Sequence, residues 1–184
     1  MLLRGPTDEW MTLEWLASLA RYNSWMNDKL YGLAAALSDE ARKRDRGAFF
    51  KSIHGTFNHL LVADRIWLAR FRSEVLPEGF AGPGIRSLDQ ELCRDFDELR
   101  RERALTDAEL SAWVSELTAE RLEGPLVYVR SGRKHEHPLW WAATHVFNHQ
   151  THHRGQITTL LMQAGSDPGV TDLVAMLREQ QARS

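Results

Sequence analysis

Apolar side chains recur at steps of three and four along most of this sequence, and that period constrains the fold more than any other feature. In residues 8–37, Trp15, Leu19, Tyr22, Met26, Leu30, Leu33 and Leu37 form one stripe on a helix of 3.6 residues per turn. Thr7 or Asp8 can cap its start. Residues 52–74 repeat the pattern with Ile53, Phe57, Leu60, Asp64, Trp67, Leu68 and Phe71, behind a Ser52 cap. A third helix is expected from Ser87, where Ser87-Leu-Asp-Gln90 matches a capping box and Leu88, Leu92, Phe96 and Leu99 carry the stripe. Thr106-Asp-Ala-Glu109 matches the same box and predicts a kink or break, after which Leu110, Trp113, Val114 and Leu117 resume the period. Pro138 suits the first turn of a fourth helix that reaches Ala164, stopped by Gly165 and Pro168.

Other segments depart from this period. Leu126-Val-Tyr-Val-Arg130 is β-prone, Ser131-Gly132 is a turn dipeptide and Arg133-Lys-His-Glu-His137 follows, so residues 126–137 read as a short hairpin. Pro77 to Gly84 reads as a crossover loop. Ser38-Asp39-Glu40 can open a short turn of helix, and Thr171 to Gln181 a shorter terminal one. The expected architecture is all-α: a four-helix bundle with a long crossover between helices 2 and 3, a short β-hairpin before helix 4 and a short C-terminal helix. Residues 1–184 are long enough to bury a full core as a single domain.

Charge narrows the function classes. Lys plus Arg number 23 against 25 Asp plus Glu, a net −2, which argues against a dedicated nucleic-acid binder. No apolar run approaches the roughly 18–20 residues of a membrane span. The N-terminus turns acidic before a secretory signal could develop, so a cytoplasmic protein acting on a small-molecule substrate is expected. The single cysteine, Cys93, excludes an internal disulfide framework and a Cys-based zinc site.

The eight histidines are less ordinary, because six of them fall between residues 135 and 153. Positions four apart on a helix differ by only about 40° in direction, so His145, His149 and His153 stack on one face beside Val146, Ile157 and Leu160. Imidazoles on a core face need partners for their nitrogens. A lone histidine there is usually a hydrogen-bonded core residue, but His-x-x-x-His is also the spacing that lets two imidazoles converge on one metal ion. Position 150 is Gln, where the zinc-protease motif has its general-base Glu, and a third ligand must come from elsewhere. His59, at the margin of the apolar face of the second helix, is the best candidate. His54 and His152 point elsewhere, and His135 and His137 alternate on the hairpin as exposed or supporting residues.

Two blocks carry a family resemblance. Ser52-Ile-His-Gly-Thr-Phe-Asn-His59-Leu-Leu and His145-Val-Phe-Asn-His149-Gln-Thr-His-His153-Arg-Gly-Gln156 resemble the signature blocks of the DinB (damage-inducible) superfamily. Tyr22-Asn-Ser-Trp25 and Asp167-Pro-Gly-Val-Thr-Asp172 also fit, so the likeness runs from about Trp10 to about Gln180. The resemblance implies a four-helix bundle with an unusual connection between helices two and three, and a divalent metal ion held by three histidines. Position by position these are His59, His149 and His153. It also implies a homodimer and zinc or nickel as the metal. Characterised relatives include thiol S-transferases dependent on bacillithiol or mycothiol and a mycothiol-dependent maleylpyruvate isomerase.

Three neutral imidazoles leave a metal's coordination shell open, as catalytic sites require. Three functions fit. In a thiol-dependent transferase, an external low-molecular-weight thiol would be activated at the metal. A metal-dependent hydrolase would want a carboxylate base, for which Asp64 and Glu136 are the candidates, although Asp64 can instead pair with a buried Arg. The third is a metal-binding stress protein without turnover. His145, Gln156 and Asn148 are the candidate orienting residues around the ligands. Arg154 and Gly155 can serve close packing of helices, Trp140, Trp141 and Tyr128 can wall a pocket, and Trp25 and Trp67 read as core.

Overall fold

A computed structural model describes residues 6–72, 85–130 and 132–183, with the side chains of 6–12 and 183 outside that description. The described residues form seven helices and one hairpin: α1 (Pro6–Ala35), α2 (Asp39–Lys43), α3 (Ile53–Phe71), α4 (Phe96–Ser115), α5 (Ala119–Glu123), β1 (Pro125–Arg130), β2 (Arg133–Pro138), α6 (Leu139–Gln163) and α7 (Leu173–Arg183). The four long helices pack two against two. Both α1 and α3 pack against α4 and α6. The expected crossover loop, Pro77 to Gly84, lies outside the described residues.

Local chemistry explains the element ends. Ser38, Ser52, Asp95 and Thr118 each accept a backbone N–H from the residue three on, which caps α2, α3, α4 and α5. The hairpin pairs Leu126 with His137 and Tyr128 with His135 in antiparallel register, and Gly132 takes the left-handed φ of 71° that its turn needs. Leu139 and Leu126 are fully buried, so the hairpin and the start of α6 close one end of the core.

Three expectations need correction. The third long helix begins at Phe96, not Ser87, because α3 claims the backbone of the intervening segment. Asn58 Oδ1 accepts the Cys93 N–H (2.9 Å), while Asn58 Nδ2 (3.1 Å) and His54 Nε2 (2.9 Å) both reach the Cys93 carbonyl. The predicted break at Thr106 does not occur. Its hydroxyl donates to the Glu102 carbonyl one turn earlier (2.8 Å) instead of capping, and α4 runs on unbroken. The buried face of α1 is also rotated from the apolar stripe: Trp15 is 47% exposed, while Leu16, Ala20, Asn23, Met26, Asn27, Leu30, Tyr31 and Ala34 are buried.

Asn23 and Asn27 face inward because a polar network crosses the middle of the helix assembly. Arg103 of α4 pairs with Asp64 of α3 (2.7 Å) and with Asp107 one turn on (2.9 Å). Asp107 accepts from Asn23 (2.7 Å) and Asn27 (3.0 Å) of α1. From α6, Gln150 donates to Asp64, and Arg154 donates to Asn23 and to the Gln150 side-chain oxygen (3.3 Å). The network thus holds two guanidinium groups against two carboxylates, and all four long helices contribute. An apolar cluster lies on either side: Leu16, Leu68, Phe71, Leu110, Trp113, Val146 and their neighbours, and Met26, Leu30, Phe57, Leu99, Ile157 and theirs.

Removing one partner from such a network leaves an uncompensated buried charge, which costs about 3–5 kcal/mol. Arg103→Met is therefore expected to lower the unfolding free energy by about that amount in urea titrations. Arg65→Met, which removes the partly exposed ion pair to Glu102, is expected to cost about 1 kcal/mol or less.

Candidate metal centre

The second and fourth long helices bring three histidines together. Ligand nitrogens of His59, His149 and His153 all lie within 4.8 Å of one another. Ring centroids are 5.1 Å apart for His59 and His149, 4.6 Å for His59 and His153, and 4.4 Å for His149 and His153. His59 and His153 are buried and His149 is half-buried.

Each of two rings has one nitrogen fixed from behind. His59 Nδ1–H donates to the Leu88 carbonyl (2.8 Å), and His153 Nδ1–H donates to Gln156 Oε1 (2.8 Å). Gln156 is itself oriented, since its amide nitrogen approaches His152 Nε2 at 3.4 Å. Both hydrogen bonds set the same tautomer, protonated on Nδ1 with the Nε2 lone pair free. The Leu88 carbonyl is available for this because residues 87–95 are not helical, and His54 and Asn58 hold that segment in place.

The donor set fits a divalent ion. Two imidazole nitrogens at about 2.0–2.1 Å from zinc in tetrahedral geometry stand about 3.3 Å apart. His59 Nε2 and His149 Nε2 stand 3.2 Å apart. The rings are also kept neutral, as ligation demands. Burial pushes His59 down to about 4 against its hydrogen bond to Leu88, and pushes His149 down to about 3 with help from His153 and His59. Burial lowers His153 in the same direction.

A short loop seals one side. Phe50 stacks on His59 (centroids 3.7 Å apart, planes 14°) and meets His153 edge-on at 5.5 Å. That placement depends on Gly55. A Cβ there would fall 2.2 Å from the Phe50 carbonyl oxygen, so the loop can close over the first turn of α3 only above a glycine. Lys51, at φ 66°, turns the chain back into the helix.

The other sequence candidates separate cleanly. His145 is exposed and sits one turn from His149, with ring centroids 5.8 Å apart, and it packs on Trp67 at 5.2 Å. Asn148 is exposed on the outer face of α6. His152 is exposed beside Gln156, and His135 and His137 lie against Tyr128 on the hairpin. Asp64 is locked to Arg103 and Gln150, as its place on an apolar stripe anticipated. Glu136 is exposed and pairs with Lys134 (3.0 Å). Gly155 meets no neighbouring helix: the space where its Cβ would stand is open. Trp140 and Trp141 are exposed, and Trp67 lies in an aromatic wall with Tyr128 in addition to its core contacts. Sequence reasoning missed Phe50, Gly55 and the Leu88 carbonyl. Only the glycine at a helix start carried a signal.

A helical assembly with three converging histidines, one from α3 and two from α6, defines a class of candidate metal-binding proteins. A family model for the DinB family matches residues 11–184, and the chain belongs to that family. It is 25% identical over 155 residues to Protein DinB of Bacillus subtilis (strain 168), covering 84% of this chain and 88% of that one. Its fold is similar to the crystal structure of a DinB-like protein from Bacillus cereus ATCC 10987, with a TM-score of 0.57 and 22% identity over 79% of this chain and 90% of the other.

Elemental analysis of protein purified without chelators is expected to find one divalent ion per chain. His59→Ala, His149→Ala and His153→Ala should each abolish stoichiometric binding while leaving the helical circular-dichroism signal in place. Gln156→Ala should retain the ion with an affinity lowered about 10–100-fold, measured by chelator competition.

Proposed function

We propose that this protein is a metal-dependent enzyme in which His59, His149 and His153 hold a divalent ion, zinc or nickel, that activates an external low-molecular-weight thiol for transfer to a small electrophile. The observation that carries this reading is the convergence of three neutral imidazoles with two of their Nδ1 atoms fixed from behind. A divalent ion bound there supplies Lewis acidity, which brings the pKa of a coordinated thiol below neutrality. The protein's part is positional. Leu88 and Gln156 hold the imidazole tautomers, Phe50 keeps water from one side, and the side toward His145 stays accessible.

Two facts favour an external thiol over the alternatives. The two carboxylates considered as bases, Asp64 and Glu136, are committed to Arg103 and Lys134. The internal cysteine is also unsuited as a nucleophile. Cys93 is 3% exposed, and burial pushes its thiol up to about 11. We read the four long helices as the bundle, with one long crossover, that the family resemblance implies, and a pair of chains as the working unit, in a cytoplasmic setting.

Metal-loaded protein is expected to consume an electrophile such as 1-chloro-2,4-dinitrobenzene only when a thiol is added, and the His149→Ala variant to lose that turnover. Turnover of ester or amide substrates without thiol would overturn the reading in favour of a hydrolase. Cys93 is expected to stay unreactive toward a disulfide reagent at pH 8 in the native protein and to react in full in urea, read by released absorbance. Cys93→Ala should leave thiol-dependent turnover unchanged.

A further inference from the structure

The protein buries three guanidinium groups deeply, and one of them differs from the others. Arg103 and Arg154 are matched by the carboxylates and amides of the central network. Arg70, near the end of α3, is 8% exposed and has no carboxylate or hydrogen-bond acceptor for its side chain among the described residues. It lies between two aromatic faces instead. Its guanidinium carbon is 4.5 Å from the Trp67 ring centroid and 4.3 Å from that of Tyr128. Burial weighs most against its charged form, the Tyr128 hydroxyl offsets part of that, and Arg130, another cation, adds to it. Its Nε–H is sealed from solvent without a partner, as are those of Arg103 and Arg154, so the difference lies in the missing carboxylates and amides.

Burying a guanidinium is costly unless acceptors compensate it. Stacking on two rings offsets part of that cost and leaves the Nε–H unanswered. A buried, planar cation with no anion among the described residues therefore stands between two rings. Such a fork matches one ligand chemistry best, a carboxylate engaged through two parallel N–H···O bonds.

Its location connects it to the three histidines. Trp67 packs on Arg70 on one side and on His145 on the other, and His145 stands one turn before His149. His145, His149, Trp67 and Tyr128 are all half-buried or exposed, so they form a surface strip that leads from the histidines to Arg70. Eleven residues separate His59 from Arg70 on α3, a rise of about 16 Å.

We propose that Arg70 is a carboxylate-binding residue for the molecule that works at the three-histidine centre, clamping its acidic end about 16 Å along α3 from His59 while Trp67 and Tyr128 line the path between. The site would thus select an extended thiol or substrate with a carboxylate at the end remote from its reacting atom. This inference rests on the proposed thiol chemistry for the identity of the reacting end, and on Arg70 alone for the acidic end.

The test separates the two. On cobalt-substituted protein, ω-mercaptoalkanoic acids of 6 to 12 carbons are titrated beside their methyl esters, read by the thiolate-to-cobalt charge-transfer band. The acids are expected to bind roughly 10–100-fold tighter than the esters, with the advantage greatest at the longer lengths. Arg70→Gln should erase that advantage, leaving ester binding unchanged, and Arg70→Lys should keep part of it. The comparison of acid with ester in the wild-type protein stands whether or not a variant folds. Thiols that bind with equal affinity as acids and esters, with no Arg70-dependent binding of a dicarboxylate, would overturn the inference while the thiol reading stands. For the opposite case, chelator-stripped protein is titrated calorimetrically with sodium pimelate. Arg70-dependent binding there supports the inference even if no thiol reaches the metal, and its absence together with equal acid and ester binding overturns it.

Discussion

A buried ionic network across four helices sets the constraint on which the other features depend. Arg103 contacts Asp64 and Asp107, and these accept from Asn23, Asn27 and Gln150, so each long helix contributes at least one polar group. An apolar interface tolerates small rotations and slides of a helix, because many packings bury similar area. A charge-assisted network does not, since a rotation of one residue would leave an ion unpaired in a medium that penalises it heavily. Burial pushes the Asp64 carboxyl upward, and the attraction of Arg103 opposes that. The network therefore fixes register more than it adds net stability. The apolar clusters on either side of it supply the driving force.

That register is what makes the histidine pocket possible. On α6, Gln150 follows His149 and Arg154 follows His153, so the network residues and the ligand candidates occupy adjacent strips of one helix. Pinning Gln150 to Asp64 and Arg154 to Asn23 sets the rotation of α6 and aims both imidazoles at α3. On α3, Asp64 and His59 stand five residues apart and face different neighbours for the same reason. A third anchor comes from the segment before α4. His54 and Asn58 hold the Cys93 backbone, and the same stretch of chain presents the Leu88 carbonyl to His59. Polar bonds thus position all three rings, which is the precision that metal ligation requires.

Periodicity made the four long helices legible in the sequence, and turn chemistry did the same for the hairpin. Helical spacing alone put His149 and His153 on one face, and the odd place of Asp64 on an apolar stripe announced a buried arginine partner. The errors share one physical cause. Residues 87–95 carry a capping box and a helical stripe, but side chains of α3 bind their backbone more profitably than a helix would. On α1, a hydrophobicity pattern could not find a buried face that includes two asparagines, because their partner Asp107 lies 80 and 84 residues away. Contacts of that range decide between local alternatives of similar energy, and no local rule encodes them.

The contrast between the two kinds of buried polar groups separates structure from function within this molecule. In the central network, each guanidinium faces carboxylates or amides from other helices, and such pairing rigidifies. Outside the network, two arrangements lack an opposite charge. The three imidazoles converge, and His153 disfavours the charged forms of His59 and His149. Arg70 sits between aromatic faces with no acceptor among the described residues. Both cost stability, and the matched network beside them is rigid enough to hold both in place. Polar groups kept in unsatisfied arrangements by a satisfied frame are ready for a ligand, because the reorganisation that binding would otherwise demand has been completed on folding. A metal ion would answer the first deficiency and an anion the second, and the strip of Trp67, His145 and Tyr128 between them fits one elongated molecule touching both.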